Sequence, residues 1–189
     1  MNGIIDTFVS NYLHIVMTEK QERILKAALH LFAREGYNAT STSKVAKLAG
    51  VSEGLIFRHF CNKEGLLNAI LKEGEIRAKT LFADIVMETN PELVIRKTIS
   101  MPFEVKEEEY EFWHLMYKLK WELKHYNEAK MEPLIMALTH AFTKLNYKNP
   151  NLEAEFMVIC IDGLVGAILK GSLTHSMEMQ QFLIDKYEL

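Results

Sequence analysis

Cysteine is nearly absent from this 189-residue chain, proline is confined to four positions, and no apolar run approaches the length of a membrane span. The two thiols, Cys61 and Cys160, lie far apart with no paired spacing. They write neither a disulfide framework nor a paired metal site, and each is expected to be a reduced apolar filler in a cytoplasmic protein. No His/Cys/Asp/Glu set has ligand spacing, so no metal is expected. No glycine loop suited to a phosphate and no nucleophile beside a base can be picked out, which argues against an enzyme and against a cofactor. The opening MNGIIDTFVSNYLHIVM has no Lys or Arg and contains Asp6, unlike a basic secretory leader. Residues 1–17 read as an extension ahead of the first helix start.

A strong charge of one sign is also missing. The net charge of −3 argues against a general nucleic-acid coat. Its distribution says more: from Thr18 to Gly65 eight Lys/Arg face five Asp/Glu, whereas the remainder carries fourteen against twenty. A mildly basic head on an acidic body fits a protein that presents one end to phosphate. The ordinary charged and apolar fractions suit a globular chain of one compact unit or two small ones.

What is present is helical periodicity throughout, hence an all-α fold. Thr18-Glu19-Lys20-Gln21 is a capping box, followed by Ile24, Ala27, Ala28, Leu31 and Phe32 on one stripe and a stop at Gly36. Thr42 to Phe60, TSKVAKLAGVSEGLIFRHF, reads as two short helices meeting at a glycine corner. Ser41 or Thr42 caps the first, Gly50 supplies the positive φ of the turn, and Ser52 caps the second. Ile56 and Phe60 face inward, leaving Glu53, Gly54, Leu55, Phe57, Arg58 and His59 on or beside the outer surface. This is the geometry of a helix-turn-helix that reads DNA. Asn62 then caps a long helix whose first turn, with Lys63, suits an anion.

At Gly36-Tyr37, Ala39-Thr40, Val45-Ala46, Ala49-Gly50-Val51-Ser52, Gly54, Phe57, His59-Phe60, Lys63-Glu64 and Leu66-Leu67 the chain resembles the TetR family of transcriptional repressors. The likeness covers about the first third of the chain, and beyond Leu67 it is architectural. It implies a three-helix DNA-binding domain over residues 18–65 and a helical effector-binding and dimerisation domain over residues 66–189. It also implies that Gly54 and Leu55 lie nearest base edges, that Phe57 and His59 face the DNA backbone, and that Ser41, Thr42, Ser52 and Lys63 hold phosphates. Lys44 and Arg58 add charge on the same side. Two residues depart from the family: Glu53 stands where a basic residue is common, and Phe57 replaces the usual Tyr. Glu53 would repel phosphate unless it accepts from a cytosine amino group or pairs with a lysine.

In the body, Tyr110, Trp113, Tyr117 and Trp121 share one helix side, with Phe112, Leu115, Met116, Leu119 and Leu123 nearly opposite. The aromatic side is the candidate wall of a pocket for a small apolar or aromatic effector, joined by Met136, His140 and Phe156; an ordinary core would show the same stripe. The helix from Glu153 to Lys170 also has two faces. Ile159, Gly163, Gly166 and Ala167 on one of them, with Phe182 of the last helix, suggest a homodimer seam. The resulting expectation is a repressor that binds an inverted repeat as a homodimer and lets go when an effector binds. An activator of the same fold and, further off, a helical protein-binding scaffold or small helical enzyme stay as alternatives.

Overall fold

The computed structural model describes residues 17–122 and 131–189, apart from the side chain of Trp121; every regular element among them is helical. In chain order these are α1 (Glu19–Glu35), α2 (Thr42–Ala49), α3 (Glu53–Phe60), α4 (Lys63–Val86) and α5 (Pro91–Ser100). Two short 3₁₀ turns (Met101–Glu104 and Glu107–Glu109) lead to α6 (Tyr110–Glu122), α7 (Glu132–Lys144), α8 (Pro150–Leu169) and α9 (Ser176–Lys186). Two compact units result, divided between Arg77 and Ala78 within α4. The first turns of α4, with Leu66, Leu67 and Ile70 buried, therefore count with the amino-terminal unit, twelve residues beyond the boundary expected at 65/66.

The amino-terminal unit starts with the capping box. Gln21 N–H donates to Thr18 Oγ1 at 3.4 Å while Thr18 N–H donates to Gln21 Oε1 at 2.8 Å. Ile24, Ala27, Ala28 and Phe32 form the buried stripe of α1, and Val45, Ala46 and Ala49 that of α2. Gly50 closes α2 at φ 65°, ψ 40°. Its N–H and that of Val51 reach the carbonyls of Lys47 and Ala46 at 3.3 and 3.0 Å, the doubled bond pattern by which a left-handed residue ends a helix. Ile56 at the centre of α3 is fully buried, a contribution of about 1.5–3 kcal/mol that holds this helix down by one face and leaves the other outward.

Between α3 and α4 the chain reverses in two residues. Asn62 N–H donates to Phe60 O at 2.7 Å across Cys61, which sits at φ 66°, ψ −49°, the strained form of a three-residue turn. Asn62 Oδ1 then accepts from Gly65 N–H at 2.8 Å, the expected cap of α4. Gly65 is required here: a Cβ on it would lie 1.8 Å from the Phe60 carbonyl oxygen.

The carboxy-terminal unit is a helical bundle. Ile85, Val94, Ile95, Ile99, Leu134, Leu138, Phe142, Met157, Ile161, Ile184 and Tyr187 form one continuous core drawn from α4, α5, α7, α8 and α9. Pro91 and Pro150 each stand in a first turn, where a missing N–H costs no helical bond.

Gly65→Ala is expected to destabilise the amino-terminal unit by about 2–3 kcal/mol, because the new methyl meets main chain that cannot swing aside. Urea unfolding followed by circular dichroism measures it, and a midpoint equal to wild type would contradict the close approach.

Candidate nucleic-acid interface

Helix α3 and its approaches form the outward surface of the amino-terminal unit. Ser52, Gly54, Phe57 and Arg58 are exposed; Glu53, Leu55 and His59 are half-buried. Phe57 leaves 48% of its surface in water, a large apolar exposure that the domain's own core does not use. Gly54 has open space where a side chain would stand. Glycine inside a helix costs about 1 kcal/mol against alanine, so the reason for Gly54 lies outside the packing of this unit. Ser52 has extended backbone and occupies the cap position, but its hydroxyl makes no capping bond, contrary to expectation. That hydroxyl is left at the surface.

Four candidates are engaged inside the domain. Ser41 Oγ accepts from Lys44 N–H at 3.2 Å and starts α2. Thr42 Oγ1 donates to Glu53 Oε1 at 2.6 Å, joining the first residues of α2 and α3 across the glycine corner. Lys44 Nζ pairs with Glu35 Oε2 at 2.6 Å, an exposed ion pair of small worth that a stronger anion could replace. Lys63 differs most from expectation. Its ammonium donates to the carbonyls of Tyr37, Thr40 and Asn38 at 3.0, 3.1 and 3.4 Å and lies 4.4 Å from the centre of the Tyr37 ring. The residue expected to hold a phosphate is instead a clamp on the α1–α2 loop.

Sequence reasoning missed the partners of that clamp. Thr40 is almost wholly buried, and its hydroxyl donates to Gly36 O at 2.9 Å, with Leu31 O at 3.3 Å. The Tyr37 ring meets Phe32 edge-on at 5.2 Å, and burial, reinforced by the Glu64 carboxylate, raises its phenol above the usual range, which keeps it neutral. Arg23 reaches Gly50 O at 3.4 Å and so braces the corner from α1. Only Tyr37 and Thr40 carried a signal, as two residues of the motif.

This arrangement matches the sequence pattern described as bacterial regulatory proteins, tetR family, over residues 24–70. Over these residues, a quarter of the chain, the sequence is similar to the TetR family. A curated relative, the uncharacterized HTH-type transcriptional regulator YvkB of Bacillus subtilis (strain 168), is 47% identical over 57 residues, 30% of each chain. The chain thus spans under a third of the length of the first curated relatives it matches. Among solved structures, the fatty acid degradation regulator FadR from Bacillus halodurans superimposes at a TM-score of 0.68 with 19% identity, covering 89% of this chain and 94% of that one. AibR, solved with isovaleryl coenzyme A and operator DNA, gives 0.69 at 16% identity over 89% and 97%. At these identities the likeness is one of fold.

In the carboxy-terminal unit, α6 has the expected two faces. Phe112, Leu115, Met116 and Leu119 are buried, while Tyr110, Trp113 and Tyr117 are half-buried. Trp121 lies on the same helix, with its side chain outside the described residues, as is Leu123. Three further ligand candidates are placed elsewhere: Met136, His140 and Phe156 are exposed, Met136 to 66% and Phe156 to 50%. The reason is register, since α7 turns Leu134, Leu138 and Phe142 into the core and so swings Met136 and His140 out.

The seam candidates divide as well. Ile159 is 69% exposed, Phe182 60%, and Gly163 is exposed with open space beside it, while Ala167 is half-buried. Gly166 is buried: a Cβ there would sit 2.5 Å from the Tyr117 hydroxyl, so this glycine admits the tyrosine of α6 and not a second chain. Phe156 joins Phe182, Cys160 and Lys186 around a groove of about 220 Å³ between α8 and α9. It belongs with the outer face.

Lys63→Met is expected to lower the stability of the amino-terminal unit by about 1–3 kcal/mol, because three loop carbonyls lose a charged donor and the methionine keeps only the packing. Thermal unfolding of the two proteins side by side checks it, and equal midpoints would show that water satisfies those carbonyls as well.

Proposed function

We propose that this protein is a DNA-binding transcriptional repressor that grips an inverted-repeat operator as a homodimer and releases it on binding a small, largely apolar ligand. The observation that carries the reading is the outer surface of α3. A helix pinned by Ile56 offers a missing side chain at Gly54, an uncommitted hydroxyl at Ser52, an exposed ring at Phe57 and an exposed charge at Arg58. Backbone without a side chain admits close approach to base edges; hydroxyls, helix ends and guanidinium suit phosphate oxygens. Lys44 is a further phosphate candidate, because its exposed bond to Glu35 costs little to exchange. His59 is placed to face the backbone and Leu55 the bases. Thr42 and Lys63 act from behind the surface, the one on Glu53 and the other on the loop.

One such helix touches few base pairs, so affinity and specificity both call for two. The exposed apolar residues of α8 and α9, Phe156, Ile159 and Phe182, support a second copy as the partner. A cluster of this kind is uncommon on a monomer's surface. An apolar effector is supported by the half-buried aromatic side of α6. It is supported too by neighbours in fold that include a fatty acid degradation regulator and a regulator solved with an acyl coenzyme A. Such a ligand would act by binding one conformation better than the other.

Binding-site selection on random duplex DNA tests the reading, an enriched inverted repeat being the expected result. With that site in hand, Arg58→Ala should weaken binding across all sequences and reduce the slope of log K against log salt by about 1. Gly54→Ala should stabilise α3 by up to about 1 kcal/mol while weakening operator binding, since the added methyl occupies space the protein itself leaves open. An affinity unchanged in both variants would remove α3 from the interface. For the seam, Ile159→Glu combined with Phe182→Glu is expected to give a monomer by light scattering with unaltered helical content and operator affinity reduced at least about a hundredfold. A dimer that survives this pair would place the seam elsewhere.

A further inference from the structure

We infer that Glu53 reads a base: its carboxylate, oriented by the Thr42 hydroxyl, accepts a hydrogen bond from the amino group of a cytosine in the major groove. The inference rests on the proposal that α3 enters DNA, and it names one element of the sequence α3 selects. Glu53 opens the helix at its half-buried rim, between the uncapped Ser52 and the bare backbone of Gly54, where the chain comes closest to presenting main chain alone. A carboxylate in that place meets a polyanion at a cost unless something specific answers it. Neither Lys44, which bonds Glu35, nor Lys63, which bonds the loop carbonyls, pairs with it.

The contact from Thr42, 2.6 Å between Oγ1 and Oε1, has the length of an O–H donating to an ionised oxygen. It fixes the carboxylate's direction before DNA arrives, so less side-chain freedom is lost on binding. It also occupies one acceptor position of about four, and the rest suit donors alone. That restriction selects the base. Guanine offers N7 and O6 to the major groove and thymine O4, all of them acceptors that repel a carboxylate. Adenine sets its amino donor beside its own N7 acceptor, whereas cytosine presents its amino group with no acceptor on the same base. The competing explanation is that Glu53 merely complements the positive end of the α3 dipole. Under that explanation the base sequence selected would not depend on it.

The test is binding-site selection on random duplex DNA with full-length wild type, Glu53→Gln and Thr42→Val, each first shown by circular dichroism to be folded. Wild type should enrich an inverted repeat holding a cytosine at one position of each half-site, preferred about tenfold or more over other bases. Glu53→Gln should replace that cytosine by adenine, which an amide can contact through both donor and acceptor, and leave every other position unchanged. Thr42→Val should relax the same position only. In a duplex carrying N4-methylcytosine there, wild type should bind about tenfold more weakly and Glu53→Gln no more than about twofold more weakly. If wild type and Glu53→Gln enrich the same repeat, the inference is overturned and the DNA-reading proposal stands. If wild type enriches no sequence, both fall together.

Discussion

The amino-terminal unit depends on one ammonium group closed over backbone oxygen. The loop between α1 and α2 contributes the carbonyls of Tyr37, Asn38 and Thr40, and Lys63 Nζ collects all three while resting on the face of Tyr37. A lysine head has three N–H donors and no acceptor, so converging carbonyls suit it better than any neutral side chain would. Since α2 begins at the residue after Ser41, fixing the loop fixes the start of α2, and the left-handed Gly50 then carries that direction into α3. The far end of α3 is held by the same first turn of α4. Phe60 O lies against the backbone of Gly65, whose N–H is bonded by Asn62. Both ends of the outward helix are therefore referred to one short stretch, 62–65.

This explains why the surface is sparsely charged. Charges that look available in one dimension are engaged in three, so the proposed interface would draw on Arg58, the Ser52 hydroxyl, helix amides and a bare glycine more than on a dense basic patch. The excess of positive over negative charge in this region is only three. On the proposed reading, recognition rests on shape and on a small number of placed groups. In the other unit the imbalance is apolar. Phe182 and Ile159 turn outward from helices whose opposite sides already fill a core, and the exposed Gly163 keeps the surface beside them low enough for a close approach.

Local chemistry made much of the amino-terminal third readable. Thr18 and Gln21, Gly36, Gly50 and Asn62 act on their own neighbourhoods, within about four residues, through capping bonds and permitted φ values; each stands in the structure as read. Ser52 is the exception, since a cap residue can adopt the cap backbone without spending its hydroxyl. Periodicity was enough to place the helices and to give α6 two apolar sides. It was not enough to assign those sides. Spacing says that two residues share a face, but which face turns inward depends on a partner helix distant in sequence.

That limit is visible at particular residues. The chain by itself determined the helix-turn-helix, its corner and its family likeness, because those follow from contacts between near neighbours. Tertiary structure alone decided that Lys63 serves the loop, that Thr42 holds Glu53, that Gly166 makes room for Tyr117, and that Phe156, Met136 and His140 look outward. Each pairs residues eleven or more apart or follows from which side of a helix the core claims. Side-chain type states what bond a residue is able to make, and only packing brings its partner within reach.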